Sequence, residues 1–255
     1  MDIRKIIQWL MVPILCFSWG GSSLAEQGVE PERNKVAFVI DDFGNNMAGT
    51  QDILNLPIPL TIAVMPFLPS TKKDAEMAHQ KKHDVFVHLP MEPLKGKKSW
   101  LGPGAITTSL SNDEIRKRVN EAINDVPHAI GVNNHMGSKA TADPRVMRVV
   151  LEVCRERGLI YLDSKTTSKS VVPVIAKELG VPFIENTIFL DDIYSKSHIR
   201  KQMRKVSHRI NHLHECIAIG HVGPPGIKTA SVLNEFIPVI EREANIVLVS
   251  KLAHK

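Results

Sequence analysis

The sequence predicts an α/β protein whose strands and helices close into a (β/α) barrel of seven or eight units. Short apolar runs rich in Val and Ile recur along the chain without polar alternation, as in strands buried on both faces. Helix-like segments separate these runs, and regular alternation of strand and helix is typical of a parallel sheet. That many units in one domain favour a closed barrel over an open doubly wound sheet.

The individual elements follow from these patterns and from helix-capping residues. Strands are predicted at residues 36–40, 60–65, 84–88, 129–132, 158–162, 181–184, 217–219 and 245–249. Helices are predicted at 70–82, 115–124, 145–157, 169–179, 197–213 and 228–243. Ser111 and Glu114 form a capping box before one helix, and Asp143 caps another. Pro238 is compatible with the last helix only through a kink or break.

Residues 1–25 have the pattern of a secretory signal peptide. Basic residues precede the apolar stretch 6–19, and small residues fill positions 20–25. Cleavage near Ala25 would leave Glu26 as the first residue. Because the apolar stretch is shorter than the roughly 20 residues of a membrane-spanning helix, no permanent membrane anchor is expected. The prediction is an exported protein, periplasmic or secreted.

The remaining chain divides into a polar tail at 26–35 and one barrel domain at 36–255. A composition of 43% hydrophobic and 23% charged residues excludes a disordered chain. The net charge of +5 is spread without a long basic block, so nucleic acid is not an expected partner. Cys154 and Cys216 enter a compartment that permits disulfides, yet two separate buried thiols are favoured over a bridge.

Acidic, amide and imidazole side chains follow several of the predicted strands, where parallel barrels place their active sites. The residues are Asp41, Asp42, His88, Glu92, Asn133, Asn134, His135, Asp163, Asp191, Asp192 and His221. Singly, each could cap a helix or bind the backbone. Two adjacent carboxylates, however, are costly to hold together without a cation or proton between them, and histidines at neighbouring strand ends supply nitrogen ligands. The combination predicts a metal site.

Five motifs carry a resemblance to a known family. They are IDDFG at 40–44, HLPMEP at 88–93, GVNNHMGS at 131–138, LDS at 162–164 and IGHVGP at 219–224. This ordered series resembles the divergent branch of the polysaccharide deacetylase family over roughly residues 36–252. The resemblance implies a distorted (β/α) barrel. It also implies, for active members, a metal-dependent hydrolase that removes acetyl groups from amino sugars of an envelope or extracellular glycan.

The resemblance also assigns roles to residues of the paired aspartates and the last motif. Asp41 resembles the general base of the family, and Asp42 resembles a metal ligand. His221 resembles the general acid, although its local sequence GHVGP departs from the usual Leu-x-His. Asp163 is expected to orient a neighbouring group or to cap a helix, and Asn134 is expected to bind substrate or support the site.

The second motif departs from the family pattern, and this leaves the third metal ligand open. His88 matches the first histidine of the family's HxxxH motif, but Glu92 stands where the second would be. Either Glu92 or His135 could complete the ligand set. The expected set is Asp42, His88 and His135, with Glu92 as a ligand or a supporting partner, and the expected metal is zinc.

Two other functions remain compatible with the sequence. One is a barrel that binds glycan or a partner without hydrolysis, and the other is a metal-dependent amidase or esterase for a different acyl substrate. Sugar subsites usually use the faces of Trp and Tyr, and after residue 25 the residues of these two types are only Trp100, Tyr161 and Tyr194, so a long glycan groove is not expected. The loop 95–104 could cover the site or be an ordinary exposed loop. The basic segment 196–209 is interpreted as a solvated helix face.

Overall fold

The computed structural model describes residues 33–253, which form one compact unit. The strands are β1 (Lys35–Phe43), β2 (Thr61–Val64), β3 (Asp84–Met91), β4 (Ala129–Met136), β5 (Ile160–Asp163), β6 (Phe183–Glu185), β7 (Ile188–Phe189), β8 (Glu215–His221) and β9 (Asn245–Ile246). The helices are α1 (Thr50–Leu54), α2 (Thr71–Gln80), α3 (Asn112–Asp125), α4 (Pro144–Glu156), α5 (Val172–Leu179), α6 (Lys196–Ile210) and α7 (Gly226–Glu243). The predicted signal peptide and most of the predicted tail lie outside the described residues.

All eight predicted strands and all six predicted helices are present, with three differences. The short elements α1 and β7 were not predicted. Helix α7 runs through Pro238 as one continuous helix, so of the expected kink or break the break does not occur in this described segment. The run at 245–249 yields only β9, which pairs with the start of β1 beside the main ring and is not a strand of it.

The parallel sheet has the strand order β6-β5-β4-β3-β2-β1-β8-β7. Its two end strands are consecutive in the chain, because only Asn186 and Thr187 separate β6 from β7. The Asn186 N–H donates to the Asp163 carbonyl (2.9 Å), whereas the Thr187 N–H donates to the Ile217 carbonyl (3.0 Å). One extended segment therefore pairs first with β5 and then with β8, which completes the predicted distorted barrel.

Two hydrophobic cores lie on the two faces of the sheet. The larger core fills the space between the strands and the surrounding helices. The smaller core lies inside the barrel and contains Ala37, Val39, Ala63, Phe86, Leu162, Ile184, Ile217, Ile219, Val249 and Leu252. Gly131 on β4 makes room for Phe86, since a Cβ there would lie 2.4 Å from the ring. Residues near the C-terminus thus close the amino-terminal end of the barrel and leave the opposite rim for polar residues.

Local signals in the sequence match the observed helix starts. The Ser111 hydroxyl accepts the Glu114 N–H (3.2 Å), and the Asp143 carboxylate accepts the N–H groups of Arg145 and Val146. Cys154 is buried in α4 and its thiol is free, and the buried thiol at position 216 is also free, as predicted. Within the described residues, no helix combines the length and apolar character needed to cross a membrane.

Candidate metal centre

The end of β1 brings two consecutive carboxylates to the rim of the barrel. The pairing of β1 with β2 shifts register between Ile40 and Phe43, which marks a β-bulge. Asp42 sits in this bulge with a φ of 70°, a left-handed conformation that is uncommon outside glycine. Because neighbouring residues of a regular strand point to opposite faces, this local distortion is what lets Asp41 and Asp42 approach the same group of histidines.

Asp42, His88 and His135 form a group in which each side chain offers one ligand atom, all within 4.8 Å of one another. His88 Nε2 lies 3.3 Å from Asp42 Oδ1 and 3.1 Å from His135 Nδ1. His135 Nδ1 lies 3.1 Å from the same Asp42 oxygen. The three atoms come from the carboxyl ends of β1, β3 and β4, so the predicted ligand set meets at one point.

The other nitrogen of each histidine is held by an oxygen that can only accept a hydrogen bond. His88 Nδ1 donates to Asn133 Oδ1 (2.8 Å), because Asn133 Nδ2 is used to donate to Asp41 (2.9 Å). His135 Nε2 donates to the backbone carbonyl of Trp100 (3.0 Å). These partners fix the tautomers, so in the neutral rings His88 Nε2 and His135 Nδ1 carry lone pairs.

Lone pairs on two imidazoles and one carboxylate thus converge on the same small volume. Asp42 Oδ1 is buried, and it accepts no hydrogen bond from any of the residues described. Such a cluster of acceptors is unfavourable unless a cation or an added proton lies among them. One aspartate oxygen and two imidazole nitrogens are a donor set that zinc accepts. The residues present therefore fit a divalent metal ion.

A proton can occupy the same volume when no metal is bound. Burial alone would raise the pKa of Asp42, but hydrogen bonds that His135 and His88 donate once these nitrogens carry a proton outweigh burial and hold that pKa well below the usual range. Burial would lower the pKa of His88, yet the charges of Asp41 and Asp42 raise it instead. The aspartate is therefore ionised, and metal and protons compete for the site.

Asp41 lies beside this group but has a different environment. It is buried, its Oδ1 accepts from Asn133 Nδ2, and its Oδ2 lies 3.7 Å from His88 Nε2. Burial raises the pKa of Asp41 more than the charges of His88 and His221 lower it. The adjacent carboxylates therefore differ, since Asp42 is held ionised whereas Asp41 has a greater affinity for a proton.

A histidine–aspartate pair completes the rim on the side of β8. His221 Nδ1 donates to Asp191 Oδ1 (2.7 Å), and the His221 N–H donates to Asp191 Oδ2 (2.8 Å). Thr229 Oγ1 donates to the same Oδ2 (2.6 Å). Burial would lower the pKa of His221, but the hydrogen bond and charge of Asp191 raise it to about 9. Asp42 and His221 line one cleft together with Tyr194.

Three predicted site residues face elsewhere in the structure. Glu92 accepts from the N–H and hydroxyl of Thr108 and pairs with Lys139 Nζ at 2.7 Å, so both its oxygens are engaged. Asn134 binds the Ser164 N–H and the Met136 carbonyl, because it points to the opposite face of β4 from His135.

Asp163 likewise alternates with Leu162, which faces the barrel interior. Its Oδ1 accepts the N–H of Lys165, so it stabilises the turn after β5. Glu92, Asn134 and Asp163 therefore contact the loops and strands around the ligand group and do not join it, and their expected supporting or substrate-binding roles stay a prediction.

Sequence reasoning missed three groups that hold the site together. Asn133 was placed at the rim without a role, although its position two residues before His135 puts it on the same face of β4. Asp191 was noted at the rim without a role. The Trp100 carbonyl is a backbone atom, and a sequence gives no signal for its position because it depends on the path of the loop between β3 and α3.

Fold and site together define an α/β-barrel protein with a potential metal centre on the carboxyl rim of its strands. The sequence pattern described as divergent polysaccharide deacetylase matches residues 38–253, and the chain belongs to that family. It is 36% identical over 192 residues to an uncharacterized protein of Haemophilus influenzae, covering 75% of this chain and 68% of that protein. It is 34% identical over 221 residues to the uncharacterized protein YibQ of Escherichia coli K12, and the match covers 87% of this chain and 68% of that protein.

A solved structure supports the fold independently. The barrel superimposes on an uncharacterized protein from Agrobacterium tumefaciens C58 with a TM-score of 0.81, covering 87% of this chain and 90% of that chain. Sequence identity between the two is 20%, so the agreement concerns the fold alone.

Proposed function

We propose that the protein is an exported, metal-dependent hydrolase that removes acetyl groups from amino sugars of an envelope or extracellular glycan. The observation that carries this proposal is the convergence of the lone pairs of Asp42, His88 and His135, with Asp41 on one side and His221 across the cleft. Family membership supports the amino-sugar substrate, and the pattern of residues 1–25 supports export.

The proposed metal ligands are Asp42, His88 and His135, and the proposed metal is zinc. When bound, such an ion would lower the pKa of a water molecule and polarise the carbonyl of the acetyl group. Asn133 and the Trp100 carbonyl would keep the two imidazole rings in the orientation and tautomer that ligation requires.

Asp41 would act as the general base that takes a proton from the attacking water. Its carboxylate is close to the ligand group, with Oδ2 3.7 Å from His88 Nε2. Its raised pKa makes it a better proton acceptor than an exposed aspartate. The Asn133 amide holds the other oxygen and so fixes the direction in which the base points.

His221 would act as the general acid that protonates the departing amine. With its pKa raised to about 9, the ring is cationic at neutral pH. Nδ1 is used by Asp191, which leaves Nε2–H as the donor for the leaving group. Asp191 thus serves as a positioning residue that orients the ring and stabilises its charge.

Acetate release measured together with metal content tests the proposal. The assay uses the chain that begins at Glu26, acetylated amino-sugar oligomers, and added zinc. Wild-type protein should bind metal stoichiometrically and release acetate. Asp41→Asn should keep the metal and lose at least about a hundredfold in rate, because it removes the base without removing a ligand.

The other outcomes distinguish the alternatives. Metal binding without acetate release, coupled with hydrolysis of other esters or amides, would support a different acyl substrate. Metal binding without any hydrolysis would support a non-catalytic barrel. Absence of metal from wild-type protein, or unchanged hydrolysis in Asp41→Asn, would contradict the proposal.

A further inference from the structure

Exposed apolar side chains are concentrated at the carboxyl rim of the barrel. Among the described residues, the large exposed hydrophobics are Phe67, Leu94, Trp100, Ile130, Val174, Ile193, Tyr194, Leu213 and Ile227. All except Ile130 and Leu213 lie in loops or first helical turns that follow a strand, which is the end that carries the candidate metal centre. Such clustering indicates a surface that meets something apolar.

We call the exposed apolar residues at the carboxyl rim, from Phe67 to Ile227, the apolar rim. Its most exposed part is the segment after β3. Leu94 is 65% exposed and Trp100 is 58% exposed. Lys95 and Lys97 are exposed between them, and the Lys97 ammonium lies 5.7 Å from the centre of the Trp100 ring. Alternating Leu, Trp and Lys side chains suit the boundary of a membrane, where apolar groups insert and ammonium groups meet lipid phosphates.

A second exposed apolar segment borders the candidate metal centre on the side of β8, whereas the first contacts it through the Trp100 carbonyl and His135. Ile193 and Tyr194 follow β7 and are 57% and 54% exposed. Tyr194 lines the cleft with Asp42 and His221, and its carbonyl accepts from Lys228 Nζ (2.8 Å). Apolar side chains therefore border the candidate metal centre on both sides.

The chemistry of these side chains favours lipid over a soluble glycan chain. Sugar rings stack on flat aromatic faces, and aliphatic groups such as Leu94, Ile193 and Ile227 offer none. The charges also suit an anionic surface, because Lys95, Lys97 and Lys169 are exposed in the rim loops. The carboxylates of Glu92 and Asp192 in the same loops are paired with Lys139 and His198.

We propose that the apolar rim docks the protein onto an anionic lipid membrane, with the 94–100 segment as the main contact. Docking would orient the cleft towards the lipid headgroups. The substrate preference that follows rests on the proposed deacetylase function: the preferred substrate would be an amino sugar carried on a lipid. Docking itself requires neither metal nor turnover, so its test is independent of the acetate assay.

The chain offers a built-in probe for this experiment. Its three Trp are Trp9, Trp19 and Trp100, so the chain that begins at Glu26 contains Trp100 alone. That chain also lacks the apolar stretch 6–19, which would bind lipid by itself. We therefore expect the fluorescence of Trp100 to shift to the blue when the protein binds vesicles of phosphatidylcholine that contain about 30 mol% phosphatidylglycerol. Pure phosphatidylcholine vesicles should give little change.

Two pairs of substitutions separate the charged and apolar contributions. Lys95→Glu with Lys97→Glu should weaken vesicle binding by at least about 25-fold, since each lysine near an anionic surface contributes about fivefold and the new carboxylates add repulsion. Leu94→Ser with Ile193→Ser should weaken it about tenfold through loss of buried apolar area. The matched controls are Lys201→Glu with Arg204→Glu on the exposed face of α6, and Leu213→Ser at the opposite end of the barrel. Both should stay within about threefold of wild type.

Co-sedimentation with the same vesicles and circular dichroism complete the test. Folded rim variants that lose binding, beside controls that keep it, would support the proposal. Failure of wild-type protein to bind, or equal losses in rim and control variants, would overturn it. A Trp100 shift with soluble N-acetylglucosamine oligomers but not with vesicles would also overturn it and assign the rim to glycan. Acetate release from soluble oligomers remains a separate readout of the hydrolase proposal.

Discussion

The two ends of the barrel both hold aspartates with buried carboxylate oxygens, but these aspartates have different partners. At the amino-terminal end, Asp84 accepts the Ser250 N–H (2.9 Å) and the Ser250 hydroxyl (3.1 Å). At the carboxyl rim, Asp42 Oδ1 is buried against two imidazole nitrogens and has no hydrogen-bond donor among the described residues. The first carboxylate anchors the C-terminal segment, whereas the second is held in a position that favours a cation.

The two ends of the barrel also differ in the surroundings of two histidines, His83 and His88, which lie towards opposite ends of β3. His83 immediately precedes β3; its Nδ1 accepts the backbone N–H of Leu60 (3.3 Å), and its buried Nε2 has no hydrogen-bond partner among the described residues. His88 lies near the other end of β3 and contacts Asn133 and Asp42. Burial of a polar residue is therefore not evidence of function by itself. The informative feature is whether ligand atoms of several residues converge on one point, as they do around His88 and, among the described residues, do not around His83.

The largest expected effect is that substitutions of the two aspartates change different properties, one metal affinity and the other stability. Asp42→Asn should weaken metal affinity by more than about a hundredfold and abolish acetate release, because it removes a charged ligand. Asp84→Asn should lower the free energy of unfolding by about 1–2 kcal/mol and leave metal affinity unchanged. Metal titration and urea denaturation measure the two effects. Equal behaviour of the two variants in both assays would remove the distinction between the two ends.

The next effect concerns neighbouring residues on opposite faces of β4. Asn133→Ala should reduce metal affinity about 10- to 100-fold, since His88 would lose the partner that fixes its tautomer. Asn134→Ala should instead lower the free energy of unfolding by about 1–3 kcal/mol, because Ser164 and Met136 lose their partner. Isothermal titration with zinc would show whether only the first substitution affects metal binding.

Asp191→Asn should change the pH dependence of turnover. In wild-type protein the rate should fall as pH rises through about 9, where His221 loses its proton. The substitution removes the main group that raises this pKa, so the alkaline limb should move towards the usual histidine value of 6.5. A rate–pH profile for both proteins tests this. An unmoved limb would show that another group supplies the proton.

The same pair contributes to folding stability with a defined sign. The pKa of His221 is raised in the folded protein, so protonation favours the folded state. Its contribution should be complete below pH 6.5, the usual value, and should be lost as pH rises through about 9. In Asp191→Asn this part of the pH dependence of unfolding should disappear.

The smallest effect sharpens the description of the amino-terminal end. Ser250→Ala removes the hydroxyl that donates to Asp84 but retains the backbone N–H. The free energy of unfolding should fall by about 0.5–1.5 kcal/mol without a change in metal affinity. Thermal denaturation with a parallel metal titration measures both. A drop in metal affinity would mean that the two ends of the barrel are coupled.

Much of the fold could be predicted because its signals are local. Val- and Ile-rich runs marked the strands, and the capping residues Ser111 and Asp143 marked two helix starts. The short strand β7 could not be predicted, because two residues are too few to show a pattern of hydrophobicity. The closing of the barrel through Asn186 and Thr187 also could not be predicted, since it depends on a change of pairing partner between β5 and β8.

The candidate site was predictable in part. Position after a strand, together with the family resemblance, identified Asp42, His88 and His135, which the structure brings together. The choice of Asn134 over Asn133 ignored the two-residue alternation that places Asn133 beside His135. Glu92 could not be excluded from the sequence, because its engagement by Thr108 and by a lysine depends on the tertiary path of two loops.

Metal content of two matched histidine variants tests the central claim most directly. His88→Ala and His83→Ala each remove a buried histidine at one end of β3, so the two share the cost of a large-to-small substitution. Elemental analysis after incubation with zinc should find one equivalent in wild-type protein and in folded His83→Ala, and none in folded His88→Ala. Metal retained by His88→Ala, or absent from wild-type protein, would contradict the assignment of a metal centre to this rim.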